Sequence, residues 1–183
     1  MDLREVTEFL KDALWYIVAI IVLIFILTFV VAFQGVAGNS MTPTLEDGQI
    51  VLVSRFSYYF TFPKRNEIVV LKKNKMSYVK RVIGLPGEKI EYLNGILYVN
   101  GKAYKEDFLD DTVVTSNFLF EDICSKKDCP DGVIPSDKYL VLGDHREASE
   151  DSRSSSYGLV DKKELKGKVI FKVFPLSDMG RVN

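Results

Sequence analysis

Between Ala13 and Leu45 the chain carries no charged residue, and Leu14 to Phe33 (LWYIVAIIVLIFILTFVVAF) is almost wholly apolar. About 20 apolar residues rising 1.5 Å each reach across the roughly 30 Å hydrocarbon core of a bilayer. A helix also satisfies its own backbone groups, as lipid requires. Trp15 and Tyr16 stand at one end of the run, where amphipathic rings favour the interface. A cleaved secretory signal has a shorter apolar core, about 7–15 residues, and then a small-residue cleavage site. This run is longer and more uniform. It reads as a retained anchor over residues 14–34, with a short N-terminal segment 1–13 before it and a folded domain 35–183 after it. Arg4 and Lys11 precede the run and only Arg55 follows within about 20 residues, a weak bias toward an inside N-terminus.

Beyond the anchor the pattern changes to short runs rich in Val, Ile and Tyr, punctuated by Gly, Pro and Asn. Strands are expected at Gln49–Arg55, Glu67–Leu71, Tyr78–Leu85, Lys89–Tyr92, Ile96–Val99, Lys138–Gly143 and Lys168–Phe174. Asn94-Gly95 reads as a tight hairpin turn, because both residues tolerate positive φ, and Asn100-Gly101 offers a second. Helical turns are expected only near Thr42–Glu46 and Asp161–Leu165. Residues from about 105 to 135 lack periodicity and read as an insertion between core strands. With 24 Lys+Arg against 25 Asp+Glu, nothing in the overall charge points to a nucleic-acid partner. The basic runs Lys72-Lys73-Asn74-Lys75 and Lys162-Lys163 read as solvated turns. Cys124 and Cys129 (CSKKDC) suit a disulfide in an oxidising compartment or are two separate thiols. Two cysteines without a nearby histidine cannot fill a tetrahedral metal shell, so no metal site is expected.

Three segments carry side chains capable of chemistry. Ser40 lies in a loop, Gly38-Asn39-Ser40-Met41-Thr42-Pro43, just beyond the anchor, where it would act close to the bilayer surface; taken alone, a loop serine is ordinary. Strand alternation puts Lys80 on one face with Tyr78 and Val82. There it either snorkels to water or loses its charge by desolvation and becomes a general base. The polar loop Gly143 to Arg153 (GDHREASEDSR) offers acids, arginines and hydroxyls able to orient such a base, or is simply a solvated loop. His145 is the only histidine and invites a Ser-His-Asp reading, but a lysine base leaves it no necessary role.

Together these segments resemble the type I signal peptidases. Ser40-Met41-Thr42-Pro43-Thr44-Leu45 resembles the family's Ser-Met-x-Pro-Thr-Leu nucleophile box, and Gly48 to Val53 (GQIVLV) its Gly-Asp-x-Val-Leu-Val strand, with Gln49 in place of the acid. Tyr78 to Glu88 (YVKRVIGLPGE) resembles the lysine box, and Gly143 to Arg153 the Gly-Asp-Asn-Arg…Ser-x-Asp-Ser-Arg box. The resemblance implies a mainly β fold: one N-terminal transmembrane helix, then a β-rich catalytic core of the signal-peptidase/LexA-like type with a small inserted segment. It implies Ser40 as nucleophile and neutral Lys80 as base, with Ser149 orienting the amine. Asp151, Arg153 and Asp144 (the last paired with Arg81 or Arg146) would hold the loop, and the Ser40 N–H would donate to the oxyanion. Shallow pockets lined by Val36, Met41, Leu45, Tyr78 and Val79 would admit small residues of an Ala-x-Ala type site. The implied substrates are secretory preproteins at the outer membrane face, with lipid as the other contact and no cofactor. Where some relatives add a hydroxyl two residues before the nucleophile, this chain has Gly38, and His145 stands where Asn is usual. The self-cleaving LexA-like repressors share such a core but need a DNA-binding region, where this chain has an anchor.

Overall fold

The computed structural model describes residues 3–110 and 112–182. Helix α1 spans Leu3–Phe25 and continues as a π-helical turn, Ile26–Val30. Thr7–Val30 is by length and composition apolar enough to cross a membrane, and none of its most apolar stretch is buried against the protein. The apolar run then changes conformation. Val31 turns to extended backbone, and Val31–Gly35 forms strand β1. Val31 and Phe33 suit a strand, and β1 pairs with the strand Ile50–Ser54 (β2) from Val31↔Ser54 to Gly35↔Ile50. The last part of the run expected to be anchor is thus the first strand of the sheet.

The remaining strands and α-helices are α2 (Ser57–Phe60), β3 (Ile68–Lys73), β4 (Met76–Gly84), β5 (Ile90–Leu93), β6 (Ile96–Val99), β7 (Lys102–Tyr104), α3 (Phe120–Ile123), β8 (Lys138–Leu142), β9 (Val160–Asp161), β10 (Leu165–Phe174) and β11 (Gly180–Arg181), with 3-10 turns at Lys162–Glu164 and Leu176–Asp178. An eight-stranded antiparallel sheet runs β1-β2-β10-β3-β4-β8-β9, with β11 on β10, and β5-β6-β7 form a second, smaller sheet. The fold is mainly β with one N-terminal apolar helix. Asn94-Gly95 and Asn100-Gly101 both take positive φ at each residue and turn the β5–β6–β7 meander as expected. Asn74-Lys75 makes the same kind of turn between β3 and β4. The short strands β7, β9 and β11 and the single helical turns α2 and α3 carry no sequence period long enough to read.

Among the strand edges left open in the described residues, two belong to strands of the large sheet that flank the apolar helix and Lys80. β1 pairs on one side only, with β2, and β8 pairs with β4 only from Arg81 onward, so Met76–Lys80 also has one partner strand, β3. The sheet divides the core. On one face Val36, Met41, Leu45, Val51, Val53 and Val79 pack together; on the other are Val69, Leu71, Val82, Tyr139 and Val160. A third cluster joins the small sheet to the 105–135 segment and contains the Cys124–Cys129 disulfide, whose Cα atoms lie 5.9 Å apart.

Candidate active site

Ser40 sits in a turn whose flanks are fixed by packing. Met41 and Leu45 are 1% and 0% exposed, and the Leu45 N–H donates to the Met41 carbonyl, so one helical turn aims both into the core against Val36 and Val79. Gly38 takes φ +78, and its N–H donates to Asp47 Oδ1 at 2.7 Å. The Ser40 carbonyl accepts the His145 N–H at 3.1 Å. Among the described residues, the Ser40 hydroxyl and N–H make no hydrogen bond, which leaves both available to a bound molecule.

Lys80 lies in the middle of β4 opposite Val69 and is 2% exposed. Its Nζ donates to Ser149 Oγ at 3.0 Å, and among the described residues it forms no ion pair. Burial lowers its pKa to about 8, against a smaller upward pull from Asp151 that the nearby Arg153 charge offsets. The neutral amine is therefore a substantial species near neutral pH, which an exposed lysine's is not.

The loop after β8 holds these groups together through three buried charge pairs. Asp144 receives Arg81 Nε at 2.9 Å and Nη2 at 2.7 Å, a bidentate pair with both side chains fully buried. Thr44 Oγ1 donates to the same carboxylate at 2.6 Å and so ties the serine loop to β4. Asp151 takes Arg153 at 2.8 and 2.9 Å and the Gly143 N–H at 3.0 Å. Burial pushes the Asp151 carboxyl up, but these Arg153 and Gly143 hydrogen bonds outweigh it and keep the group below its usual pKa. Arg146, which the sequence left as an alternative partner for Asp144, binds Glu106 at 2.6 Å, Tyr92 Oη at 2.8 Å and Thr115 Oγ1 at 2.7 Å. The Arg81 guanidinium also lies 4.0 Å from the Phe108 ring centre.

Gly143 is the point of closest approach. A Cβ there would stand 2.2 Å from Ser149 Oγ and 2.3 Å from the Ser40 carbonyl oxygen. Ser40, Ser149 and, through Ser149, Lys80 thus converge on one backbone position that only glycine fits. Because one of the contacts is backbone, Gly143→Ala must displace the serine loop. An ångström-scale displacement of a reacting group can lower turnover about 100-fold, and peptide-cleavage assays of this variant beside its melting temperature check that expectation.

Of the residues singled out in the sequence, Val36, Met41, Leu45 and Val79 come together on one face of the sheet, and Tyr78 lies on the other, edge-on to Tyr157 at 5.7 Å. Alternation along β4 separates Tyr78 from its neighbour Val79. His145 is half-buried; its Nδ1 lies 3.2 Å from the Asn39 carbonyl, and it contacts the nucleophile loop rather than Lys80. The sequence did not mark Tyr92, Glu106, Phe108 or Thr115. A signal for the acid existed: two arginines, Arg81 and Arg146, shared one candidate carboxylate, so a second had to come from elsewhere in the chain.

The family model described as "Signal peptidase, peptidase S26" matches residues 7–174, which span the helix, the serine loop, β4 and the Gly143–Arg153 loop. The chain belongs to this family. It is 40% identical over 179 residues to signal peptidase IB of Staphylococcus aureus (strain Mu50), covering 93% of this chain and 92% of that one. It is 41% identical over 170 residues to signal peptidase I of Bacillus caldolyticus, covering 88% of each. The crystal structure of a signal peptidase I from Enterococcus faecalis V583 aligns with a TM-score of 0.50 at 31% identity, over 59% of this chain and 97% of that one. As an S26 member this chain is a serine endopeptidase of the signal peptidase I kind, and its apolar N-terminal helix fits membrane association.

Proposed function

We propose that the chain removes N-terminal signal peptides with Ser40 as nucleophile and neutral Lys80 as general base. The observation that carries this reading is the buried Lys80, free of any ion pair among the described residues, lowered to a pKa of about 8 and hydrogen-bonded to Ser149. Lys80 takes the Ser40 proton as Oγ attacks the scissile carbonyl, then passes that proton to the leaving amine. Water then enters along the same path and releases the acyl group. Ser149 fixes the amine's direction. The Ser40 N–H is the donor for the oxyanion; a side-chain donor at position 38 is not available from Gly38, whose N–H is already given to Asp47.

The free edges of β1 and of Met76–Lys80 suit an extended peptide bound by strand addition. Val36 and Val79 beside the serine loop favour small side chains such as those of an Ala-x-Ala site. Tyr78 alternates onto the same face of β4 as Lys80, so it meets the peptide on the base's side of the strand, while Val79 faces the other way. In this reading the helix anchors the chain, with residues 1–13 on the cytoplasmic side and the domain outside, so secretory preproteins meet Ser40 close to the bilayer.

The rate–pH profile tests the base. The competent form of Lys80 is the neutral one, so kcat/KM rises about tenfold per pH unit below 8 and levels off above it. A rise that continued toward the ~10.4 of a free lysine, or an inflection near the ~6.5 of a histidine, would remove Lys80 from the role.

A further inference from the structure

We propose that a basic cavity beside the end of the apolar helix binds the phosphate of an anionic phospholipid. The cavity measures about 560 Å³, and Arg55, Lys72, Lys162, Lys163 and Lys166 all line it with no Asp or Glu among its walls. Five cations in one place are conspicuous in a chain of net charge −1. Only Lys163 has an acidic partner, Asp161 at 3.2 Å; among the described residues Arg55, Lys72, Lys162 and Lys166 form no ion pair. The Lys162 ammonium stands 3.9 Å from the centre of the Phe62 ring, and Lys166 Nζ donates to the Lys163 carbonyl. Lys72 from one of the basic runs that read as solvated turns in the sequence, and both lysines of the other, therefore face a common space. Like charges lining one space repel one another, so the space favours an anion.

Position selects lipid over a soluble anion. Ala32, two residues past the end of the apolar helix, lines the cavity. Arg55 Nη1 donates to the Thr28 carbonyl in the last turns of that helix, and the Arg55 N–H donates to Val30. A bilayer crossed by the helix that ends at Val30 therefore brings its headgroup layer to these cations. Beside them α2 and the residues around it present Phe56, Tyr59, Phe60 and Phe62 to solvent, with Tyr59 80% and Phe60 74% exposed. Aromatic side chains next to cations at a helix end match the composition of an interface with lipid headgroups. The cavity also touches Gln34 of β1 and Ser77 of β4, on two of the open strand edges, so the proposed substrate is a rival occupant.

The test uses the full chain in neutral detergent, with lipid binding read by native mass spectrometry. Dioleoyl-phosphatidylglycerol should be retained in preference to dioleoyl-phosphatidylcholine, and raising the salt should weaken it. The triple variant Lys72→Gln/Lys162→Gln/Lys166→Gln, confirmed as folded by an unchanged melting temperature, should bind it at least about tenfold more weakly. The corresponding Lys→Arg triple should restore binding, and Lys126→Gln/Lys127→Gln in the distant disulfide loop should leave it unchanged. Equal retention of the two lipids, or equal binding by wild type and the Gln triple, overturns the proposal. Displacement by glycerol phosphate at comparable concentration would make the site one for soluble phosphate and also overturn it. So would displacement by a signal-peptide substrate, which would assign the cavity to the peptide.

Discussion

Lys80→Met is expected to abolish preprotein cleavage, lowering kcat/KM by about 1000-fold or more, without lowering the melting temperature. The loss follows from removing the general base, a group whose contribution commonly reaches about 10²–10⁴-fold and is larger when it acts as a unit with the nucleophile. The preserved stability follows from linkage. Lys80 has a folded pKa of about 8, below the 10.5 of the unfolded chain. Between those values the unfolded chain binds more protons, so folded-state stability rises with pH through that window. Below pH 8 the lysine carries its full desolvation cost, which an unbranched apolar side chain of similar volume avoids. Ser149, half-buried, retains access to water when its partner is gone. A variant that lost activity by unfolding would instead melt early, so assay and calorimetry together separate the two causes.

The second large effect concerns stability. Asp144→Ala is expected to cost about 3–5 kcal/mol, because it deprives a fully buried guanidinium of its carboxylate. For a domain of this size that corresponds to a fall in melting temperature of roughly 10 °C or more. Thr44 loses its acceptor in the same step, so the serine loop loosens along with the core. Asp144→Asn keeps one oxygen for Arg81 and should fall between wild type and Ala. Thermal denaturation of the three proteins in one buffer measures the series.

Most of the fold was legible in the sequence because its signals were local. Asn94-Gly95 and Asn100-Gly101 fixed two turns by their need for positive φ, and alternation in Tyr78–Leu85 placed Lys80 on an inward face. β1 was hidden for a physical reason: its Val31-Ala32-Phe33 continues an apolar run, and hydropathy does not distinguish the end of a membrane helix from a buried strand. The partner strand β2, almost 20 residues away, decides it. The support around the site was hidden in another way. Glu106, Phe108 and Thr115 lie in a stretch without period, and only folding brings them to Arg146 and Arg81. Conversely, Lys72 and Lys162 looked like independent solvated turns until the sheet placed them around one cavity.

The most direct measurement compares cleavage of one preprotein by the detergent-solubilised full chain and by its Ser40→Ala, Lys80→Ala and His145→Ala variants. His145 contacts the nucleophile loop through the Asn39 carbonyl and has no hydrogen bond to Lys80. The Ser–Lys reading predicts no detectable product from the first two variants and continued cleavage by His145→Ala. Activity in Lys80→Ala together with its loss in His145→Ala would contradict it.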